Sequence, residues 1–153
     1  MTDRELDELE TPIGNIMSLN PQCCGLHSSM QEVAQLMSDE DCGEIPVVDG
    51  QDKLIGVITD RDIICRGVAK GKRSDAPIQE LMTAEPVSIT QLATLRECLK
   101  TLEAHDIRRL PVVDEHHLCC GLVSQADIAR YASNHLTGEL VRDISTVAPM
   151  RTV

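Results

Sequence analysis

From Ile13 onward the apolar positions change period in a fixed order, and later in the chain they run through the same order again. Met30, Val33, Ala34 and Met37 follow the i, i+3, i+4, i+7 spacing of a helix with one apolar face, and Leu95, Cys98, Leu99 and Leu102 repeat it. Each set opens on a capping box, Ser29-Met30-Gln31-Glu32 or Thr94-Leu95-Arg96-Glu97, in which a hydroxyl and a carboxylate satisfy each other's backbone donors. The short runs Ile45 to Val48 and Leu110 to Val113 are rich in β-branched residues, and each carries a proline that suits an edge or the start of a strand. The polar segments Asp49-Gly50-Gln51-Asp52 and Asp114-Glu115-His116-His117 predict hairpins into strands ending at Ile58 and Val123. With a short first strand near Cys23-Cys24, matched by Val87-Ser88-Ile89, the unit reads strand, helix, strand, strand, helix.

The two copies are in strict register. Pro46 and Pro111, Met17 and Met82, Gly56 and Gly121, and Asp62 and Asp127 are each 65 residues apart, and no gap is needed. Such self-similarity means one supersecondary unit used twice. It predicts an acidic arm over residues 1–12, one repeat over 13–73, a second over 74–136 and a tail over 137–153. The polar, glycine-containing stretch from Gly67 to Pro77 reads as a surface linker. The last helix is expected to run to about Leu136, where Thr137-Gly138 ends it, and the tail to pack back on the module or on a partner subunit.

Composition narrows the function classes. At 153 residues the chain suits one domain, or two small repeats that share a core. A formal net charge of -11 opposes binding to nucleic acid or an anionic membrane surface. Without a leader-like segment or an apolar run of about 18 residues, the expectation is a cytoplasmic protein. Seven cysteines in no regular framework suit buried thiols in a reducing compartment. With one Tyr and no Phe or Trp, there are no stacking platforms for bases.

The segments Gly56-Val57-Ile58-Thr59-Asp60-Arg61-Asp62-Ile63 and Gly121-Leu122-Val123-Ser124-Gln125-Ala126-Asp127-Ile128 are candidates for chemistry. Thr59 and Ser124 fall at N-cap positions and Asp62 and Asp127 at the third helical position, so a capping role alone would explain them. Two copies, each preceded by Pro-Val-Val-Asp, point further. This tandem pattern resembles the CBS domain family, named for cystathionine beta-synthase, whose paired repeats form a Bateman module. The resemblance covers about residues 13 to 136. It implies an α+β fold of two tandem β-α-β-β-α repeats packed sheet to sheet with pseudo-two-fold symmetry. It also implies clefts between the repeats for adenosine-containing ligands such as AMP, ADP, ATP or S-adenosylmethionine, a homodimer, and regulation of an effector protein by conformational shift, without catalysis.

By that resemblance, Asp62 and Asp127 would accept hydrogen bonds from ribose hydroxyls, assisted by Thr59 and Ser124. Ile45, Pro46 and Val47, and Leu110, Pro111 and Val112, would lie along the adenine, and Arg108 and Arg109 would face phosphate. Here the copies diverge. The equivalents of Arg108 and Arg109 are Gly43 and Glu44, and the Glu44 carboxylate disfavours an anionic ligand nearby, so two unequal sites are expected. One alternative is a dimeric interaction module with vestigial clefts. Another is a metal- or redox-responsive regulator using His116, His117, Cys119 and Cys120, or Cys23, Cys24 and His27, or Cys42; neither cluster has C-x-x-C spacing. Walker, G-x-G-x-x-G and G-x-S-x-G signatures are missing.

Overall fold

The structure is a computed structural model that describes residues 1–133 and Gly138. The expected run of the last helix to Leu136 and the docking of the tail fall, Gly138 apart, outside these residues. The fold is α+β with two sheets, as the tandem pattern predicts. The described residues divide into two compact units, one of residues 1–19, 88–114 and the described residues from Cys120 onward, the other of residues 20–87 and 115–119.

The first unit contains helix α1 (Asp3–Leu9), a 3-10 turn (Ile13–Asn15), strand β1 (Ser18–Leu19), and, from the second repeat, strand β5 (Ile89–Thr90), helix α4 (Leu95–His105), strands β6 (Arg109–Val113) and β7 (Cys119–Ser124) and helix α5 (Gln125–Tyr131). Its sheet runs β1-β7-β6-β5, with β1 antiparallel to β7 and β5 parallel to β6. Leu95 and Leu102 of α4, Leu110 and Val112 of β6, Val123 of β7 and Ile128 of α5 are all 0% exposed. Residues 1–12, expected as an acidic arm, are folded into this unit. α1 is started by a capping box between Thr2 and Glu5 and buries Leu9, Thr11 accepts the Leu95 N–H through its carbonyl, and Glu8 accepts the Ser133 N–H.

The second unit contains helix α2 (Met30–Glu40), strands β2 (Glu44–Val48) and β3 (Leu54–Thr59), a helical segment α3 and strand β4 (Thr83–Ala84) in the sheet order β2-β3-β4. The expected strand at Cys23-Cys24 is reduced to one parallel bridge between Cys24 and Val47. α3 is α-helical over Asp60–Asp62, π-helical over Ile63–Gly67 and 3-10 over Val68–Lys70, so it takes up the front of the stretch expected as linker. The rest of that stretch is tied down, because Ser74 and Ala76 accept the N–H groups of Gln31 and Met30 at the start of α2. Met30, Val33, Met37, Ile45, Val47, Ile58, Ile63, Ile78 and Leu81 form its core.

Ile78 and Leu81 in that list belong by sequence to the second repeat, and Ile13 in the first unit belongs to the first. The opening turn and strand of each repeat therefore pack with the later elements of the other. The exchange is reciprocal bond for bond. Ile13 donates to the Ala93 carbonyl at 2.7 Å and Ile78 to the Ser28 carbonyl at 2.9 Å; Leu95 donates to Thr11 and Met30 to Ala76, both at 2.8 Å. Each pair is offset by the same 65 residues.

The exchange explains the motif glycines. A Cβ at Gly56 would stand 2.8 Å from Met82 Sδ and one at Gly121 would collide with Met17 Sδ, so each glycine makes room for the methionine that arrives with the exchanged segment. Backbone torsions repeat as faithfully. Positive φ occurs at Asn20 and Glu85, at Asp41 and Asp106, and at Asp52 and His117, again three pairs at the repeat spacing.

Candidate functional site

Both candidate carboxylates sit where a strand turns into a helix. At the end of β3, Thr59 Oγ1 accepts the Asp62 N–H at 3.1 Å while Asp62 Oδ2 accepts the Thr59 N–H at 3.0 Å. At the end of β7, Ser124 Oγ accepts the Asp127 N–H at 3.2 Å while Asp127 Oδ2 accepts the Ser124 N–H at 2.9 Å. The capping reading is thus realised in both copies, and it commits Oδ2 of each aspartate to its own backbone turn.

The remaining lone pairs distinguish the copies. Asp127 is 7% exposed and accepts three further bonds, from Ser124 Oγ on Oδ2 at 3.0 Å, from Ser18 Oγ on Oδ1 at 3.1 Å and from Arg130 Nη2 on Oδ1 at 2.6 Å. A carboxylate has about four acceptor sites, so Asp127 is saturated. Asp62 is not. Its Oδ1 faces the Arg66 guanidinium at 3.8 Å, and Arg66 gives its hydrogen bonds instead to the carbonyls of Leu81 and Met82. Thr83, the counterpart of Ser18, makes no hydrogen bond to Asp62 among the described residues.

The neighbouring strands set the charge. On β2 the alternation of side chains puts Ile45 and Val47 into the apolar core and Glu44 and Pro46 on the other face. Glu44 is 7% exposed and pairs across the sheet with Thr59, next to the candidate carboxylate. On β6, Leu110 and Val112 are core residues, and Arg109 shares the opposite face with Pro111. Arg108 lies just before β6, exposed, and contributes its carbonyl to the Gln125 N–H, as Gly43 does for Asp60. The structure therefore brings Thr59, Asp62, Glu44 and Pro46 together in one unit and Ser124, Asp127, Arg109 and Pro111 in the other. Ile45, Val47, Leu110 and Val112 act as the scaffold behind them.

Two residues escaped the sequence reading. Ser18 could have been suspected from the hydroxyl that follows methionine in both copies, Met17-Ser18 and Met82-Thr83. Arg130 lies three residues after Asp127 on α5, the spacing of helical neighbours.

The cysteines are differently placed. Burial pushes the Cys24 and Cys98 thiols up to about 12, the nearby Cys23 adding to the effect at Cys24. Cys120 lies against the Val112 carbonyl at 3.5 Å and is raised mainly by burial. Among the described residues no three His, Cys, Asp or Glu side chains are grouped to hold a metal ion.

Known proteins share this fold. Hypoxic response protein 1 of Mycobacterium tuberculosis is 36% identical over 135 residues, covering 88% of this chain and 94% of that protein. The CBS domain-containing protein YhcV of Bacillus subtilis is 38% identical over 120 residues, covering 78% of this chain and 84% of that protein. Among solved structures, Hypoxic Response Protein I with two coordinated zinc ions superposes with a TM-score of 0.74 at 35% identity, over 80% of this chain and 100% of that one. The CBS domain pair of protein MJ0100, in complex with 5-methylthioadenosine and S-adenosyl-L-methionine, gives 0.70 at 27% identity, over 78% of this chain and 94% of that one. The CBS domain profile itself matches twice, at residues 13–67 and 78–134, and on these grounds the chain belongs to the CBS domain family.

Proposed function

We propose that the chain is a regulatory module that binds an adenosine-containing ligand, with Asp62 and Asp127 as the ribose acceptors. The observation that carries the reading is the pair of carboxylates at the ends of β3 and β7, each fixed through Oδ2 by its own capping box and beside a Pro-Val-Val strand. At Asp62 a carboxylate so oriented keeps Oδ1 open to a ribose hydroxyl, which lowers the cost of binding, whereas at Asp127 the ribose must displace Ser18 and Arg130 from Oδ1. The methylthioadenosine and S-adenosylmethionine held by the MJ0100 pair support the ligand class.

The two positions suit different ligands. Arg109 beside Ser124 and Asp127 suits a nucleotide phosphate, with Arg108 as a second cation, whereas Glu44 beside Thr59 and Asp62 suits an uncharged or cationic adenosyl compound such as S-adenosylmethionine. Binding shifts a conformational equilibrium only through different affinity for its two states, and an effector protein would read that shift. Ile64 and Val68, 60% and 63% exposed and four residues apart on α3, supply an apolar patch suited to a homodimer contact. We place the module in the cytoplasm, as a reducing setting suits seven cysteines without a disulfide framework. No helix among the described residues is long and apolar enough to cross a membrane.

Isothermal titration with AMP, ATP, NAD and S-adenosylmethionine tests the reading, with thermal shift as a second readout. AMP affinity should fall at least tenfold in Asp127→Ala, S-adenosylmethionine affinity should fall at least tenfold in Asp62→Ala, and neither should change in Asp60→Ala, whose carboxylate is exposed and turned to the Arg61 N–H. Equal effects of all three substitutions would remove the site assignment. No binding of any of these ligands would leave the interaction-module reading in its place.

A further inference from the structure

Helix α1 is held to its unit by polar contacts more than by packing. Of its seven residues only Leu9 buries an apolar side chain; the other two buried ones are the carboxylates Glu5 and Glu8, while Leu6 is 42% exposed. Its C-terminal end is fixed on α4, where the Leu95 N–H donates to the Thr11 carbonyl and Arg96 Nε lies 3.0 Å from Glu10 Oε1. Toward α5 it faces an open cleft of about 540 Å³ lined by Arg4, Asp7, Glu8, Thr11 and Tyr131. Three hydrogen bonds tie it to the end of α5. The Thr11 and Tyr131 hydroxyls lie 2.7 Å apart, the Ser133 N–H donates to Glu8 Oε2 at 3.0 Å, and the Ser133 hydroxyl donates to Glu5 Oε1 at 3.4 Å.

What α1 holds is the last turn of the helix that carries Asp127 and Arg130. α5 spans seven residues, too few to be stable by itself, so both of its ends depend on anchors. The first anchor is the capping box of Ser124 and Asp127; the second, at Tyr131 and Ser133, comes from α1. Arg130 reaches Asp127 because the helical turn between them brings the two side chains to one face. A frayed last turn takes the guanidinium off Oδ1. We propose, resting on Asp127 as a ribose acceptor, that α1 is a strap regulating ligand access to that carboxylate. Seated, it keeps α5 wound and Arg130 on Oδ1; lifted, it lets the last turn fray and leaves only the Ser18 hydroxyl for a ribose to displace. This hold has no counterpart in the second unit. There Arg66 stands in place of Tyr131 and bonds to the Leu81 and Met82 carbonyls, and Ala76, without a hydroxyl, stands in place of Thr11. The control therefore falls on the Asp127 position alone.

Hydrogen exchange on the full parent chain tests the strap without any substitution. Because linkage is reciprocal, saturating AMP should speed amide exchange in Asp3–Leu9, and in Asp127→Ala the same AMP concentration should leave that exchange unchanged. Titration calorimetry on Tyr131→Phe and Glu8→Ala, each lacking one hold, supplies the second readout. AMP affinity should rise in both by up to about fivefold, the limit set by the exposed Arg130–Asp127 pair. In an Arg130→Ala background neither substitution should add to that gain, whereas a merely structural contact would lower affinity or leave it alone. Slower or unchanged exchange in α1 with AMP bound, or a gain that persists in full without Arg130, overturns the strap and leaves the ribose acceptor in place. Failure of the parent chain to bind AMP removes the ribose acceptor, and the strap with it.

Discussion

Arg130 places Nη2 2.6 Å from Asp127 Oδ1, on the oxygen that also accepts the Ser18 hydroxyl. An incoming ribose at this carboxylate must therefore displace two donors. The Arg130 side chain is 72% exposed, so the ion pair itself is worth only about 0.2–1 kcal/mol. Removing it by Arg130→Ala should tighten AMP binding by about 1.4- to fivefold, the equivalent of that energy. Titration calorimetry decides the point: weaker binding in this variant would mean that Arg130 holds the ligand instead of competing with it.

Gly121→Ala puts a methyl group into the space filled by Met17 Sδ, and Gly56→Ala does the same against Met82 and the Thr83 carbonyl. Overpacking of this kind costs about 1–3 kcal/mol. Each variant should melt lower by about 2–4 °C for every kcal/mol lost. Because the obstruction is a thioether, Met17→Ala in the Gly121→Ala background should recover part of the loss, and calorimetry on the four-member cycle measures that coupling. Strict additivity would contradict the proposed contact.

The reciprocal exchange of opening segments makes an unusual demand on hydrogen exchange. Ile13 is 0% exposed in the first unit and Ile78 is 0% exposed in the second. Truncating either to alanine should cost about 2–5 kcal/mol. The loss of amide protection in Ile13→Ala should appear first in α4, across the repeat boundary, and in Ile78→Ala first in α2. Protection lost from the mutated residue's own repeat would refute the exchange.

The thiols of Cys24 and Cys98, pushed up to about 12 by burial, tie stability to alkaline pH. A folded-state pKa above the unfolded value of 9.0 means the folded chain keeps its proton where the unfolded chain loses it. The contribution is full below pH 9 and drains away as the pH rises toward 12. Urea midpoints should fall as the pH rises from 9.0 toward about 12, and Cys98→Ala should fall less steeply than the parent. In the native state at pH 8 both thiols should resist iodoacetamide while the exposed Cys65 reacts.

The elements and their caps were legible in the chain because they are local. Helical faces such as Leu95, Cys98 and Leu102, the boxes at Ser29 and Thr94, and the strand-to-helix turns at Thr59 and Ser124 all depend on residues within a turn or two of one another. The offset of 65 residues then determined that the unit is used twice. Glu44 against Arg109 was legible too, since a charge reversal at equivalent positions needs no coordinates to be seen.

What the tertiary structure alone decided is where each copy finds its partners. Ser18 reaches Asp127 across 109 residues, and nothing in the period of the apolar positions says that an opening segment will leave its own repeat for the other. Glu85 and His117 adopt positive φ, at 49° and 64°, at the positions occupied in the other copy by Asn20 and Asp52, and Glu85 does so against the preference of its own side chain. The saturation of Asp127 and the open oxygen of Asp62 follow from a count of donors converging from separate segments, whereas sequence patterning records spacing along one.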